Sequence, residues 1–495
     1  MPVVETDVVV VGAGLAGLYA VLHVRHGLDV LVVDKAEGRS GSSPLAQGGI
    51  AVSAGRDDSP ERHLADTLAA GAGACVRSAV EVLVSEAPRD LHALVELGCR
   101  FDRDGSGSLD VHLEAGQSVA RSVHAADATG RELMRTLVPH ARRRALRMVG
   151  AATGLLVRGG RCVGCVVQTG TGAVEVRAGA VLLATGGCGA LYAMTTNERG
   201  STGDGIAMAY EAGAAVADME FVQFHPTALA QGPSQRVLLT EALRGAGATL
   251  VDSRSEPVMS DVHPDGDLAP RDVVARAVAA TPGGVWLDAK AVPAAVLEER
   301  FPNVLAALRE RGFDLSREKV PVAPAAHYLL GGVATDTCGR SSLPGLYAAG
   351  ECAATGVHGA NRMAGNSLAE ALVFGRRAAG AMSADVARRD DRVESAYGDA
   401  PPSVEVGADF ARAMWDGAGL IRSAQSLRLA AEVARRLASS PDPGERLPAV
   451  AAMLICRAAT LRPESRGVHY RTDAPAPDPA WEGAHVRMER GSVPA

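Results

Sequence analysis

Apolar residues in this chain fall into short β-branched runs that end at glycine, separated by stretches of helical spacing. The first run is Asp7–Val11; Gly12-Ala13-Gly14-Leu15-Ala16-Gly17 follows, then Leu18–Arg25 with helical character. A second run, Asp29–Val33, ends at Asp34. Val181-Leu182-Leu183-Ala184-Thr185-Gly186-Gly187 and Leu346-Tyr347-Ala348-Ala349-Gly350-Glu351 repeat the pattern, the latter leading through a Gly-rich stretch into a helix from about Asn366. Arg161–Gln168 is strand-like, while Phe410–Leu437 and Pro448–Leu461 have helical periodicity. The Pro- and charge-containing stretch from Arg388 to Pro402 reads as a linker. Strands alternating with helices predict an α/β architecture. With 495 residues the chain is too long for one core, so two or three domains are expected.

Composition changes this picture mainly by exclusion. No apolar run is long enough to span a bilayer. Val8 to Val11 follow acidic residues and lead straight into a glycine loop, so no signal peptide is expected and a cytoplasmic location is. A net charge of -7 and a pI near 6.0 argue against nucleic acid or an anionic membrane as the main partner. Only three lysines (Lys35, Lys290, Lys319) accompany forty-seven arginines, which reads as coding bias. Eight cysteines are scattered, and Cys162 and Cys165 form a CxxC with no second pair downstream. Strand residues in a reducing compartment explain them better than a metal site, and none is expected.

The amino-terminal pattern is GxGxxG in the setting of strand, glycine turn, helix, strand, acid. Gly12 permits the tight turn, Gly14 lets backbone approach a pyrophosphate, and Gly17 allows close helix–strand packing. The helix amino terminus offers unpaired N–H groups and a positive dipole end to phosphates. Asp34 is placed to accept hydrogen bonds from ribose hydroxyls. Similar strand ends at Gly187 and Glu351 could bring backbone to the same ligand. Contacts spread over most of the chain suit a long, extended dinucleotide, FAD, better than NAD on one compact half. Three ordinary strand–turn–helix units are the bland alternative.

Further motifs follow in order. They are Ser42-Ser43-Pro44-Leu45-Ala46-Gln47-Gly48-Gly49-Ile50, His124-Ala125-Ala126-Asp127-Ala128-Thr129-Gly130-Arg131-Glu132 and Gly203-Asp204-Gly205. Then come Gln223-Phe224-His225-Pro226-Thr227, Leu239-Thr240-Glu241-Ala242-Leu243-Arg244-Gly245 and Ala269-Pro270-Arg271-Asp272. The last are Ala325-Ala326-His327-Tyr328 and His358-Gly359-Ala360-Asn361-Arg362-Met363-Ala364-Gly365-Asn366-Ser367-Leu368. From about residue 5 to about 380 the chain resembles the succinate dehydrogenase/fumarate reductase flavoprotein family, most of all its branch that oxidises L-aspartate. A weaker echo runs through Met414-Trp415 and Arg462-Pro463-Glu464-Ser465-Arg466-Gly467.

The resemblance implies an α/β FAD-binding Rossmann-like domain in two segments, 1–218 and 329–390. An α+β capping domain, 219–328, is inserted between them, and a C-terminal helical domain covers 402–495. It implies FAD contacts at Gly12, Ala13, Gly14, Leu15, Ala16 and Gly17, then at Asp34, Lys35, Ser42 and Ser43. Further contacts fall on Ala46, Gln47, Gly48 and Gly49, on Ala151 and Ala152, and on Thr185, Gly186 and Asp204. Glu351, Asn366, Ser367 and Leu368 complete the set. Covalent members carry histidine at the position of Ser42, so FAD is expected to be non-covalent here.

Four distant segments each supply one cation or donor: His225, Arg271, His327 and Arg362. Arginine forks bind carboxylates bidentately and imidazoles add donors, so the set suits a dianionic dicarboxylate. Singly, each could be a core histidine or a surface pair. The resemblance places all four at substrate positions, with Thr240 and Glu241 beside them. It implies hydride transfer from C2 of L-aspartate to flavin N5, giving iminoaspartate, the first step of de novo NAD synthesis. Oxygen, giving hydrogen peroxide, or fumarate would reoxidise the flavin. Arg362 and His327 would hold carboxylates, and His225 would add a hydrogen bond. Arg271 would be the acid/base, which needs a cationic pocket or a relay through Glu241 because arginine is almost always charged.

Leu113-Glu114-Ala115-Gly116-Gln117-Ser118 bears on the substrate. Glu114 matches the carboxylate that the resemblance places against the substrate ammonium. Ala115 for glycine, Gln117 for histidine, and Val119-Ala120 for basic residues depart from the usual stretch, so a shifted loop is an open alternative. A soluble fumarate reductase or succinate dehydrogenase-type flavoprotein is the second reading. A flavin subunit that only relays electrons is a third, opposed by the complete His/Arg set. The pathway leaves room for a transient contact with quinolinate synthase.

Overall fold

The computed structural model describes residues 1–35, 41–55, 57–386 and 406–491. The stretch from Arg388 to Pro402 lies outside them. Valine runs build the central sheet, in which Val3–Val11 pairs in parallel with Val30–Asp34 on one side and with Gly172–Leu183 on the other. Leu146–Val149 extends one edge in parallel. On the other side Arg161–Thr169 and Ala151–Arg158 add antiparallel strands, and Leu346–Ala348 pairs in parallel with the end of Gly172–Leu183.

Both faces of this sheet are covered, which is why its first strands read as unbroken apolar runs. Val8, Val10, Val30 and Val32 face one core with the helices Leu15–His23 and Asn366–Asp385. Val9, Val11, Leu31 and Val33 face the other, where Ile206 and Met208 of the helix Asp204–Glu211 pack. The same second core takes in Phe410, Met414, Leu427, Val450 and Ile455 from the carboxy-terminal helices. Those helices therefore share their hydrophobic interior with the sheet.

Two local differences from the sequence pattern have simple causes. The first helix starts at Leu15, not Leu18, its first turn closed by the Leu18 N–H on the Gly14 carbonyl at 3.0 Å, while Ser43 Oγ accepts the Leu15 backbone N–H at 3.0 Å. The stretch Phe410–Leu437 splits into Ala408–Ala418 and Ala424–Leu437. Gly419 leaves the helical region at ψ -146°, and Ser423 restarts a helix through a capping box with Ser426. Cys162 and Cys165 lie buried in Arg161–Thr169, and burial pushes their thiols up to about 11 and about 12.

Between Val222 and Leu329 the chain forms a second, antiparallel sheet of Val222–Leu229, Val320–Leu329, Val285–Asp288 and Thr249–Val251. It has its own core, built on Leu243, Leu250, Val274, Leu287 and Leu305. Asp127, from the Ala125-Ala126-Asp127 motif, reaches across to the helix Pro302–Arg309 of this part. Its carboxylate accepts the backbone N–H groups of Asn303 (3.2 Å) and Val304 (2.8 Å), satisfying two orphan donors of that helix. Deeper down, Arg462 stacks between Phe221 and Trp481, each 4.8 Å away, and pairs with Glu220 at 2.6 Å and Glu464 at 2.9 Å. This buried set gives the Arg462–Gly467 motif a structural role. No helix among the described residues is long and apolar enough to cross a membrane.

The turn after the first strand has no spare room. Gly12 has φ +109°, and a Cβ there would strike the Ala184 carbonyl; a Cβ on Gly17 would strike the Gly12 carbonyl. Gly17→Ala is expected to cost about 3 kcal/mol, as overpacking against fixed backbone does. Urea denaturation compared with the wild type is the measurement, and a change below about 0.5 kcal/mol would contradict the packing role.

Candidate active site

A single cavity of about 620 Å³ runs from the Gly12–Ala16 turn to the second sheet. One end is lined by Asp34, Lys35, Ser42 and Ser43, the middle by Ala46, Gln47, Gly48, Gly49, Ala152, Thr185, Gly186, Asp204, Glu351, Ser367 and Leu368. Glu114, His225, Thr240, Arg271, His327 and Arg362 line the far end. Four expected residues stand off the wall, each for a visible reason. Gly17 is spent on packing against Gly12. Ala151 precedes Ala152 in a strand, where successive residues face opposite ways. Asn366 turns inward to His63 (2.8 Å) and Thr67 (3.0 Å). Glu241 sits behind Arg271 and holds it.

The long arm of the cavity fits a dinucleotide. At Gly186 (φ +75°) an added Cβ would meet no atom within 4 Å, so the backbone is left bare to the cavity. Gln47 Oε1 and Asn197 Oδ1, on lining residues, are buried with no hydrogen-bond partner among the described residues. Lys35 is paired with Asp204 at 2.5 Å, and Asp34 with Arg147 at 3.7 Å. Burial of Glu351 raises its carboxyl to about 7, and the Leu329 backbone N–H bonds it at 2.9 Å. Backbone N–H groups at a helix start, a bare glycine and unpartnered acceptors make a suitable FAD cradle.

At the far end two guanidinium groups share one acceptor. Gln223 Oε1 takes hydrogen bonds from Arg271 Nη1 (3.2 Å) and Arg362 Nε (3.3 Å). The Gln223 amide donates to Asn361 Oδ1 and the Arg362 carbonyl, both at 3.0 Å. Arg362 also donates to Ser367 Oγ at 2.8 Å and lies 4.8 Å over the Tyr328 ring. Burial and the neighbouring Arg271 charge lower its guanidinium to about 10, so it is still cationic at neutral pH. Arg271 Nε donates to Glu241 Oε2 at 2.6 Å, and the other Glu241 oxygen accepts the Ala115 backbone N–H at 2.6 Å. Burial alone would raise Glu241; Arg271 and Arg244 outweigh it and bring the carboxyl to about 2.

His225 and His327 meet edge to face, ring centroids 5.0 Å apart. Burial first, then the surrounding cations, hold both imidazoles well below 6.5, so both are neutral donors at neutral pH. His225 Nδ1 accepts the Thr227 backbone N–H at 3.3 Å, which leaves the ring hydrogen on Nε2. His327 Nδ1 is bonded to Thr196 Oγ1 at 2.8 Å.

Glu114 is the one acid among the expected substrate residues on this wall. Burial raises its carboxyl, but His112 at 2.8 Å more than compensates and keeps it below the ordinary value. With Ala115 and Gln117 in this loop, Glu114 lines the cavity. Gln117 Oε1 accepts the Glu114 backbone N–H at 3.0 Å, and its amide donates to Ser122 Oγ (2.9 Å) and the Ala364 carbonyl (3.5 Å). Gln117 is thus the strut of the turn. Gln223 and Tyr328 lie inside motifs legible in sequence, yet only the adjoining histidines stand out there. Thr196 has no sequence signal, since its partner is 131 residues away.

Residues 7–368 match the family model described as FAD binding domain. Proteins named L-aspartate oxidase are similar over almost the whole chain. That of Caulobacter vibrioides is 45% identical, covering 97% of this chain and 96% of its own. That of Mycobacterium tuberculosis is 44% identical over 98% and 95%, and that of Nostoc sp. 40% over 97% and 92%. Among solved structures, the FrdA chain of a mutant E. coli quinol fumarate reductase superposes with a TM-score of 0.88 at 29% identity, covering 100% of this chain and 96% of its own. A Mycobacterium smegmatis Sdh1 complex follows with 0.81 at 32%, over 98% and 92%.

Gln223→Leu removes the acceptor common to two buried cations. Urea denaturation should show a loss of about 2 kcal/mol, the scale for hydrogen bonds to charged groups. The dissociation constant of a plain dicarboxylate such as succinate should rise about tenfold, a similar energy; unchanged succinate binding would show that Gln223 does not set the arginine pair.

Proposed function

Because the chain belongs to the L-aspartate oxidases, a branch of the succinate dehydrogenase/fumarate reductase flavoproteins, we propose that this cavity oxidises L-aspartate to iminoaspartate. Glu114 carries the reading: a buried carboxylate, held ionised, beside two arginines, two neutral imidazoles and Thr240 at the far end of the cavity. A dicarboxylate needs the cations; only one with an ammonium group also needs the acid.

FAD, when bound, supplies the two-electron acceptor for the hydrogen at C2. In our assignment Gly12–Ala16, Asp34, Lys35, Ser43, Gln47–Gly49, Gly186 and Glu351 hold it, and Ser42 offers no imidazole for a covalent bond. Arg362 grips one substrate carboxylate, with its fork fixed by Gln223 and Ser367. His327 adds a neutral donor there, and His225 donates from Nε2. Glu114 faces the ammonium and so fixes which side of C2 carries the hydrogen to be lost. Arg271, joined to Glu241, moves the proton to the second carbon when fumarate is the oxidant. Thr240 completes the wall.

Oxygen, reduced to hydrogen peroxide, and fumarate, reduced to succinate, are the acceptors assigned. The product is the first intermediate of de novo NAD synthesis, and imine lability favours transient contact with quinolinate synthase, which we propose as its consumer. Eight free cysteines are consistent with the reducing cytoplasm we assign. Likeness to fumarate reductases supports that alternative at the level of fold.

Anaerobic mixing of the yellow protein with L-aspartate should bleach the flavin, whereas succinate and D-aspartate should not. Bleaching by succinate alone would establish the alternative. Denaturation should release all the colour, and colour retained on the chain would overturn the non-covalent assignment.

A further inference from the structure

Arg362 is held from three sides. Gln223 Oε1 accepts its Nε hydrogen and Ser367 Oγ accepts from Nη1. The third support is the Tyr328 ring, whose centroid lies 4.8 Å from the guanidinium carbon. Nη2 has no acceptor among the described residues, which leaves it for a ligand carboxylate. Gln223 and Tyr328 are partners across the antiparallel strands Val222–Leu229 and Val320–Leu329, so the amide and the ring stand on one face of the sheet. An aromatic face fixes the plane of a stacked guanidinium only as firmly as the ring itself is fixed.

Tyr328 is fixed through its hydroxyl, which donates to Glu370 Oε2 at 2.9 Å. His358 Nε2 meets the same oxygen at 2.9 Å, and Thr355 Oγ1 donates to Glu370 Oε1. The His358 ring stands edge-on to Tyr328, centroids 5.4 Å apart. Glu370 is buried and does not line the cavity. Burial raises its carboxyl, but His358, Thr355 and Tyr328 outweigh that and hold it below its ordinary value. Burial, and then the Glu370 and Glu351 carboxylates, push the Tyr328 phenol well above its ordinary value, so the hydroxyl is the donor. Glu370 lies three residues after Ser367 on the helix Asn366–Asp385, on the same side of it. One helix face thus serves Arg362 twice, directly through Ser367 and one step removed through Glu370 and Tyr328.

We propose that Glu370 is a positioning residue for dicarboxylate binding: through the Tyr328 hydroxyl it fixes the ring that sets the plane of the Arg362 guanidinium. The inference rests on the reading that Arg362 grips a substrate carboxylate. Bidentate recognition needs the plane of the fork to match that of the carboxylate, so a ring free to tilt costs affinity even where every group is still present. Glu370 bonds neither the cavity nor the guanidinium, and its effect on binding passes through Tyr328. A carboxylate that merely satisfied a core would weaken the fold, and its effect on ligand binding would not depend on residue 328.

The probe is succinate, which has both carboxylates and no ammonium, titrated into FAD-loaded protein by calorimetry. Glu370→Met removes the acceptor at similar length, and Tyr328→Phe removes the donor while keeping the ring. Each should raise the succinate dissociation constant roughly fivefold, part of what a desolvated cation–π contact contributes. The double variant should bind within about twofold of either single one, because both remove the same bond. Glu370→Gln keeps an acceptor for the hydroxyl and should stay within about twofold of the wild type. Unchanged succinate binding in Tyr328→Phe overturns the proposal, and that variant decides alone if Glu370→Met does not fold. Effects that multiply in the double variant, or a Glu370→Gln as weak as Glu370→Met, overturn it as well. An Arg362→Lys variant that binds succinate as tightly as the wild type would instead overturn the carboxylate assignment beneath it.

Discussion

Burying arginines is costly unless each finds a carboxylate or a fixed acceptor. This protein buries Arg244, Arg271 and Arg362 together. Glu241 makes that arrangement stable. One oxygen holds Arg271 and lies 3.5 Å from Arg244; the other takes the backbone N–H of Ala115, in the loop that carries Glu114. A single carboxylate therefore balances charge in the inserted part and anchors a loop of the cofactor-binding part. Gln223 does the complementary work for Arg362. The neutral state of both histidines follows first from their burial and then from the same crowding, because imidazolium ions would add to an already cationic wall.

Much of the cofactor arm was legible in the sequence because its determinants are local. A valine run, Gly12, Gly14, Gly17 and an acid at Asp34 specify a strand, a turn and a helix within one stretch of chain. The ends of Gly172–Leu183 and Leu346–Ala348 were legible for the same reason, and they do meet side by side. The four residues assigned to the substrate could be picked out by motif. Their partners could not. Gln223 bonds Asn361 and Arg362, and Thr196 bonds His327, across spans that no periodicity encodes. Asn366 shows the converse: a residue of a legible motif whose side chain supports the helix Pro60–Ala70 instead of facing the ligand.

The loop around Glu114 shows how a departure from a family pattern is absorbed. Gln117, in place of histidine, makes three hydrogen bonds that hold the turn, and His112 supplies an imidazole from two residues before the glutamate. Residue type has moved while the carboxylate stays on the cavity wall. Those hydrogen bonds, not the identity of each position, hold the carboxylate there.

The core shared between the sheet and the carboxy-terminal helices has a consequence for how the molecule is made. Val9, Val11, Leu31 and Val33 leave the ribosome long before Val450 and Ile455, which join the same core. Leu346–Ala348, which pairs with Gly172–Leu183, also emerges late. At roughly 5–20 residues per second of synthesis, one face of the sheet stays uncovered for some tens of seconds. The nascent valine strands thus wait with one apolar face uncovered, and the sheet that carries the Gly12–Gly17 turn gains its full backing only once Val450 and Ile455 have emerged.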